Sequence, residues 1–336
     1  MLLVWFEFAV CVLIMAVAGY RLARYGDAIA EKTGLGGVWI GAVLLAFATS
    51  LPEVFTGISA VTFLDAPDLT IGDLFGANTF NLFNLALLDI FHRGGPLFTT
   101  ASRGHLLTAG LCLILVTFVA ACLFVGARMP IPRLGWIGIY TPIILLLYLI
   151  MVRVLFKHEQ SEQAGSKPRV AVLSPYKDMS LVKVYLYYAV AAIFVIGAGT
   201  WLAFLGEEIT LLAGWERSFV GSFFIGFSTT VPEMTVSFSA LRLGAIDLCI
   251  GNMVGSTLIN MGIIGVVDLF YRQGPILGVA SQSHVFTALV VILMISILVI
   301  GLILRPQHKT PLRASWYALA LMTVFFLGSY ISFLMA

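Results

Sequence analysis

The chain has 336 residues, 60% of them apolar and only 11% charged, with a formal net charge of +2. A water-soluble domain of this length cannot hide so much apolar surface, because its exterior normally stays charged and mixed. A soluble fold is therefore excluded, nucleic-acid binding has no basic surface to rest on, and the chain belongs in a lipid bilayer.

Apolar stretches recur along the whole chain, most of them near the roughly 20 residues that cross a bilayer. In order they cover about residues 2–20, 37–61, 69–91, 104–126, 134–156, 181–206, 218–242, 245–270, 284–304 and 313–335. The prediction is an all-α integral membrane protein with ten transmembrane helices. The first stretch lacks a basic leader and a small-residue cleavage site, so it reads as a retained helix, with Glu7 alone inside it. The longest polar stretch, Lys157 to Asp178, is mixed in charge, contains Gly, Ser and Pro, and is too short to fold alone. Residues 157–180 are thus expected to be a cytoplasmic linker between two five-helix halves, 1–156 and 181–336. Glu207 and Glu208 close the sixth stretch as interfacial residues. Cys11, Cys112, Cys122 and Cys249 lie in apolar stretches without metal-ligand spacing and read as small hydrophobes. With the flanks of each stretch counted, fifteen Lys and Arg fall on the odd-numbered connections and four on the even ones. The positive-inside rule then places the odd connections in the cytoplasm and both termini outside.

The chain also repeats itself. ATSLPEVFTGISAVTFLDAPDLTIGDLFGANTFN, from Ala48, matches STTVPEMTVSFSALRLGAIDLCIGNMVGSTLIN, from Ser228, at an offset of 180 residues that falls to 179 after one deletion. Pro52-Glu53 pairs with Pro232-Glu233, Asp68 with Asp247, Gly72 with Gly251, Gly76 with Gly255 and Asn81 with Asn260. Further along, Asp89 pairs with Asp268, Arg93 with Arg272, Gly95-Pro96 with Gly274-Pro275 and His105 with His284. The copies lie five stretches apart, and an odd number of crossings makes equivalent helices enter from opposite sides. The expected architecture is two inverted five-helix repeats with a site near the midplane.

Glu53 and Glu233 fall in the middle of apolar helices, where an ionised carboxylate costs at least about 2–3 kcal/mol. Each follows a proline, which removes one helical hydrogen bond and should free the carbonyls of Ala48 and Ser228. Those carbonyls, the two carboxylates and the hydroxyls of Thr49, Ser50, Thr229 and Thr230 make an oxygen-rich shell suited to a hard cation. No accompanying Cys and His set suggests copper or zinc. Asp73, Ala77 and Asn81 share one helix face, matched by Asn252, Ser256 and Asn260. Asn81 and Asn260 are read as ligands or gates. Asp73 either caps a helix or lines the way in for an ion. Asp89 and Asp268 are expected to anchor loop ends, and His105 and His284 to be structural or interfacial, with a pH-sensing role left open.

The blocks ATSLPE…GANTFN and STTVPE…GSTLIN resemble the two α-repeats of the cation/Ca²⁺ exchanger superfamily, in particular its prokaryotic Na⁺/Ca²⁺ exchangers; the motif resemblance covers about residues 41–97 and 221–276. The resemblance implies a Ca²⁺ site shared by Glu53 and Glu233, with backbone oxygens from Thr49 and Thr229. It implies neighbouring Na⁺ sites lined by the backbones of Ala46 and Gly226 and by Ser50, Thr230, Ser256, Asn81 and Asn260, and a long, sliding pair formed by the first and sixth helices. Two positions depart from the family pattern: Asn260 stands where an acid is often found, and Ala77 where a small hydroxyl is expected.

The resulting expectation is a non-enzymatic antiporter of a prokaryotic cytoplasmic membrane that exports Ca²⁺ against Na⁺ by alternating access, with no cofactor beyond the transported ions. A Ca²⁺/H⁺ antiporter on the same scaffold is the nearest rival. A cation channel and an intramembrane hydrolase are remoter ones, the latter lacking an HExxH, GxGD or serine-elbow motif.

Overall fold

The computed structural model describes residues 1–32, 45–163 and 179–335. Residues 37–44 of the second expected helix and most of the expected linker lie outside the described residues. The described chain is helical apart from one short hairpin and the connecting turns.

The first helix, α1 (Leu2–Lys32), and α7 (Leu181–Ala213) have 31 and 33 residues. At about 1.5 Å per residue each reaches well beyond the roughly 30 Å of a hydrocarbon core. They pack against each other along their length, with Tyr25 stacked on Tyr187 at 5.6 Å and the Cys11 thiol donating to the Ala198 carbonyl. Gly214, at φ 71°, accepts the left-handed turn that ends α7. Just beyond it Arg217 grips Glu207 through two nitrogens, Nε to Oε2 at 2.8 Å and Nη2 to Oε1. That hydrogen-bonded carboxylate holds the Arg217 guanidinium above its ordinary value.

Between these two, the first half continues as α2 (Leu51–Phe63), α3 (Pro67–Phe91), the single turn α4 (Leu97–Thr100), α5 (Gly104–Gly126) and α6 (Tyr140–Gln163). The second half follows as α8 (Arg217–Phe219), a π-helical segment (Val220–Ile225), α9 (Gly226–Arg242), α10 (Ile246–Phe270), α11 (Ile276–Val279), α12 (Ser283–Leu304) and α13 (Trp316–Leu334). Among the described residues eight helices are long and apolar enough to cross a membrane: α1, α3, α5, α6, α7, α10, α12 and α13. The second and seventh expected stretches are instead interrupted. Residues 45–49 are helical, the chain turns at Ser50, and α2 starts with Pro52 in its first turn, where a missing N–H costs nothing. In the other half Pro232 stays inside α9, and the irregularity is displaced upstream into the π-helical segment. The fifth helix begins six residues later than expected because Arg133–Leu134 and Ile137–Gly138 pair as an antiparallel hairpin, and it runs on to Gln163.

Burial identifies the centre. In the apolar windows of α3 and α10, 78% of residues are buried, against 22–44% in the other six long helices. Those two helices carry the glycines, amides and acids of the repeat. The outer helices turn Phe6, Leu13, Leu146, Leu149, Ile193, Leu293 and Leu327 outward, as a lipid-facing surface requires.

Hydrogen bonding ties the halves together in matched pairs. Asp89 accepts from the Leu97 and Ser315 amides (2.7 Å each), the Ser315 hydroxyl (2.9 Å) and the Tyr317 hydroxyl (2.6 Å). Asp268 accepts from the Ile276 and Gly138 amides (2.7 and 3.0 Å) and from the Tyr140 and Thr141 hydroxyls. The two acids do anchor the loop ends, through backbone amides and hydroxyls. The histidines reach across the molecule: His284 Nε2 is 3.0 Å from Asp68 and His105 Nε2 is 3.1 Å from Asp247, each acid also accepting a backbone amide, from Ser281 and Ser102.

Two glycines set the approach of α3 to the π-helical segment. A Cβ on Gly76 would collide with the Ser222 backbone, and one on Gly72 would stand 2.8 Å from the Ser218 carbonyl. Backbone cannot move aside as a flexible side chain can. Gly76→Ala is expected to lower stability by about 1–3 kcal/mol or more, read as a fall in the thermal unfolding midpoint of the purified protein in detergent.

Candidate functional site: a buried cluster of oxygen ligands

Where α2, α3, α9 and α10 meet, polar side chains fill a place that hydrophobic residues would otherwise occupy. Glu53, Glu233, Asp73, Thr49, Ser50, Thr229, Thr230, Asn78, Asn81, Asn252, Ser256 and Asn260 are all buried, none above 2% exposed. The interrupted helices explain how they gather there. The turn at Ser50 and the π-helical segment before Gly226 let the chain present backbone carbonyls and hydroxyls to the centre instead of locking them in an unbroken ladder.

The contacts run from one half to the other. The Ser50 hydroxyl donates to Glu233 Oε1 at 3.4 Å, and Ser256 donates to the same oxygen at 3.4 Å. The Thr49 hydroxyl lies 3.1 Å from the Ala46 carbonyl and 3.4 Å from Asn252 Oδ1. In the matched arrangement Thr229 donates to Asp73 Oδ1 at 2.9 Å. The Thr230 hydroxyl donates to the Gly226 carbonyl at 2.6 Å. Asn252 Nδ2 reaches the Glu233 carbonyl (3.2 Å) and the Ser237 hydroxyl (3.0 Å), while Asn260 Nδ2 donates to Asn78 Oδ1 at 3.0 Å. Ala46 packs on Gly255, and Gly226 fits against Gly76 and Ala77, where a Cβ would stand 2.8 Å from the Ala77 nitrogen. All eleven residues predicted from the sequence thus fall in or beside this cluster.

What distinguishes the cluster is the polar atoms left over. Both carboxylate oxygens of Glu53, Glu233 Oε2, Asp73 Oδ2, both amide atoms of Asn81, Asn78 Nδ2 and Asn260 Oδ1 are buried with no hydrogen-bond partner. A buried polar group without a partner costs about 1–3 kcal/mol, and an ionised one more. Asp89 and Asp268, equally buried, each collect four donors. The donor count therefore separates acids that hold loop ends together from acids with oxygens left unpartnered. The unpartnered oxygens are hard donors, of the kind Na⁺ and Ca²⁺ take. Among the described residues no three His, Cys, Asp or Glu side chains form a metal-binding group; the polar atoms around the acids are hydroxyls, amides and carbonyls.

Sequence reasoning left three contributors out of the ligand set. It reads Asp73 as a helix cap or a lining of the ion's way in and Asn252 as a matched position on one helix face, and does not single out Asn78. Asn78 has Thr257 as its repeat partner, so the repeat gave no amide pair to notice. Asn252 bonds to both halves at once, and Asn252→Ala would remove its donation to the Glu233 carbonyl and the Ser237 hydroxyl and its acceptance from Thr49. A loss of about 1–3 kcal/mol is expected, measured as a lower unfolding midpoint in detergent.

With this geometry in hand, the sequence model of the family described as "Sodium/calcium exchanger protein" matches residues 3–157 and 183–336. Among curated proteins, the inner membrane protein YrbG of Escherichia coli is 22% identical over 289 residues, 85% of each chain. The sodium/calcium exchanger MaX1 of Methanosarcina acetivorans is 36% identical over 112 residues, 32% of this chain and 30% of that one. The putative antiporter CaxA of Alkalimonas amylolytica is 21% identical over 299 residues, 85% of this chain and 86% of its own. Among solved structures, the sodium-calcium exchanger NCX_Mj superposes with a TM-score of 0.61 at 19% identity, covering 97% of this chain and 98% of that one. Native YfkE superposes at 0.66 with 14% identity, covering 97% and 92%. These structural likenesses establish the fold.

Proposed function

This chain belongs to the sodium/calcium exchanger protein family, and from that premise we propose that it is a secondary antiporter that moves Ca²⁺ one way and Na⁺ the other. Ca²⁺ sits between Glu53 and Glu233, assisted by backbone oxygens of Thr49 and Thr229. Na⁺ takes positions overlapping and flanking it, lined by Ser50, Thr230, Ser256, Asn81, Asn260 and the carbonyls of Ala46 and Gly226. The scaffold is ten spans in two inverted five-helix halves, with both termini outside a cytoplasmic membrane and α1 and α7 as the long pair that slides between access states.

The observation that carries this reading is the set of unpartnered carboxylate oxygens in the buried cluster, Glu53 above all. Two carboxylates with three free oxygens need two positive charges, which one Ca²⁺ or two monovalent cations supply. The chemistry of exchange follows from that balance. An empty site holds repelling charge away from water, so closing the protein over it is penalised. A site loaded with either ion is neutralised and can close. Only loaded sites then pass from one side to the other, and ions that compete for the same oxygens are obliged to alternate. The serine hydroxyls on Glu233 Oε1 leave its second oxygen free for the ion, and Glu53, with no donor, is the more exposed of the two acids to whatever cation arrives.

A Ca²⁺/H⁺ antiporter, in which the glutamates carry protons, is the competing reading, supported by Asn260 and Ala77 where the family pattern has an acid and a hydroxyl. Radiolabelled Ca²⁺ uptake into Na⁺-loaded proteoliposomes, with pH clamped on both sides, separates the two. The expected result is uptake that collapses without internal Na⁺; uptake that ignores Na⁺ and follows a pH gradient would move the protein to proton coupling. Glu53→Gln and Glu233→Gln each keep the shape and remove the charge. Each is expected to reduce exchange to background while the protein stays monodisperse, and normal exchange by either would refute the assignment of these acids.

A further inference from the structure

Asp73 is the acid that the two-glutamate site leaves unexplained, and its repeat partner tells what it lacks. Asn252 uses its Oδ1 to accept from Thr49 and its Nδ2 to donate to the Glu233 carbonyl and the Ser237 hydroxyl. Asp73 reproduces the first contact, accepting from Thr229 at 2.9 Å. It does not reproduce the second, because a carboxylate oxygen carries no hydrogen where the amide carries two, and the position matching Ser237 is Gly57. Its Oδ2 is buried without a partner, and the residue has no exposed surface. Among the described residues no Lys, Arg or His makes an ion pair with it.

The neighbourhood is rich in further oxygens. The Thr229 hydroxyl has one hydrogen but three acceptors in reach: Asp73 Oδ1, the Ile225 carbonyl at 3.2 Å and the Gly226 carbonyl at 3.4 Å. Ile225 is the last residue of the π-helical segment and Gly226 the first of α9, so the carbonyl ladder changes register at this place. One hydrogen cannot go to three oxygens at once, and among the described residues only the Gly226 carbonyl has a further hydroxyl donor, Thr230; a cation can be shared by Asp73, the two carbonyls and Thr229 itself.

We propose that Asp73 is the anionic anchor of a second cation position, adjacent to the one at Glu53 and Glu233, that takes Na⁺ together with Thr229 and the carbonyls of Ile225 and Gly226. The proposal rests on the antiporter reading given above and deepens it. A single carboxylate with neutral oxygens matches one positive charge, whereas Ca²⁺ takes about 6–8 oxygens and is usually neutralised by more than one carboxylate. Charge balance then defines the loaded states. Glu53, Glu233 and Asp73 carry three negative charges, so Ca²⁺ leaves one over and is accompanied by one Na⁺ at Asp73, while the Na⁺-loaded form holds three.

The test is a calorimetric Na⁺ titration of the whole detergent-purified protein in a choline background, comparing wild type with Asp73→Asn. This variant places at residue 73 the side chain that already occupies the matched position 252. The expected result is one fewer Na⁺ bound, with a Hill coefficient lower by about one and a half-saturating Na⁺ concentration raised about tenfold. The same variant should lose far less Ca²⁺ affinity than Glu53→Gln does. If Asp73 is a neutral acid that merely copies Asn252, the two Na⁺ titrations coincide, and the proposal is overturned. Should Asp73→Asn fail to yield folded protein, the isosteric Thr229→Val carries the test, and an unchanged Na⁺ titration there overturns it equally. Wild-type protein that shows no Na⁺-dependent Ca²⁺ uptake would defeat the antiporter reading itself. Na⁺-dependent uptake with coincident titrations would leave that reading standing and remove only the role of Asp73.

Discussion

A carboxylate buried in a low-dielectric interior without a hydrogen-bond donor is held at a cost of several kcal/mol unless a positive charge joins it. The centre of this protein holds such a group at Glu53, and carboxylates with one oxygen left unpartnered at Glu233 and Asp73, and the rest of the architecture surrounds that arrangement. The two helices that bear the amides and Asp73, α3 and α10, are buried nearly all round, so water does not solvate the acids from the side. The helices that bear the glutamates are interrupted by a turn at Ser50 or preceded by a π-helical segment, and so bring carbonyls where a continuous helix would consume them. The outer helices supply the apolar surface that keeps the whole in lipid. Asp89 and Asp268 give the contrast from within the same molecule: equal burial, four donors each, and a purely architectural part at the ends of α3 and α10.

The cluster belongs to neither half alone. Ser50 of the first half bonds to Glu233 of the second, Thr49 meets Asn252, Thr229 meets Asp73, and Asn260 meets Asn78. Farther out, His284 and His105 reach Asp68 and Asp247 of the opposite half. A small displacement of one half against the other would therefore change the distances around all these buried acids at once. On the antiporter reading proposed above, this is how ion occupancy and access to the two sides are linked: the ion supplies the charge that lets the halves close, and the closed halves supply the oxygens that hold the ion. The two halves do not match throughout: Glu233 accepts from Ser50 and Ser256 while Glu53 has no such donor, and Asp73 stands opposite Asn252, a difference of charge.

Much of this was legible in the sequence. Hydropathy located the helices, since a span must satisfy its own backbone and keep its surface apolar over a known length. The pairing of Pro52-Glu53 with Pro232-Glu233 marked the buried polar cluster, because buried acids beside prolines cannot be explained by packing. All eleven expected site residues gather there. What the sequence concealed depended on distant neighbours. Nothing local showed that Pro52 would open its helix while Pro232 would stay inside one, or that six residues before Gly226 would adopt π geometry, a segment against which Gly72 and Gly76 let α3 pack closely. The start of α6 was misplaced because the 133–138 hairpin is fixed by contacts with the Asp268 corner, 130 residues away in sequence.

By itself, then, the sequence determined that this chain lives in a bilayer, that it carries two related segments, and that Glu53 and Glu233 are paired acids within them. Composition, hydrophobic length and repetition are properties of the chain read in order. Only the tertiary structure decided which buried acids are satisfied and which are not. Asp89, Asp268, Asp73 and Glu53 look alike as acids in apolar helices, and they part company only when the amides and hydroxyls brought to each from remote segments are counted. Hydrogen-bond satisfaction is a property of neighbours in space, and for Asp73 the neighbour that matters, Thr229, lies 156 residues away along the chain.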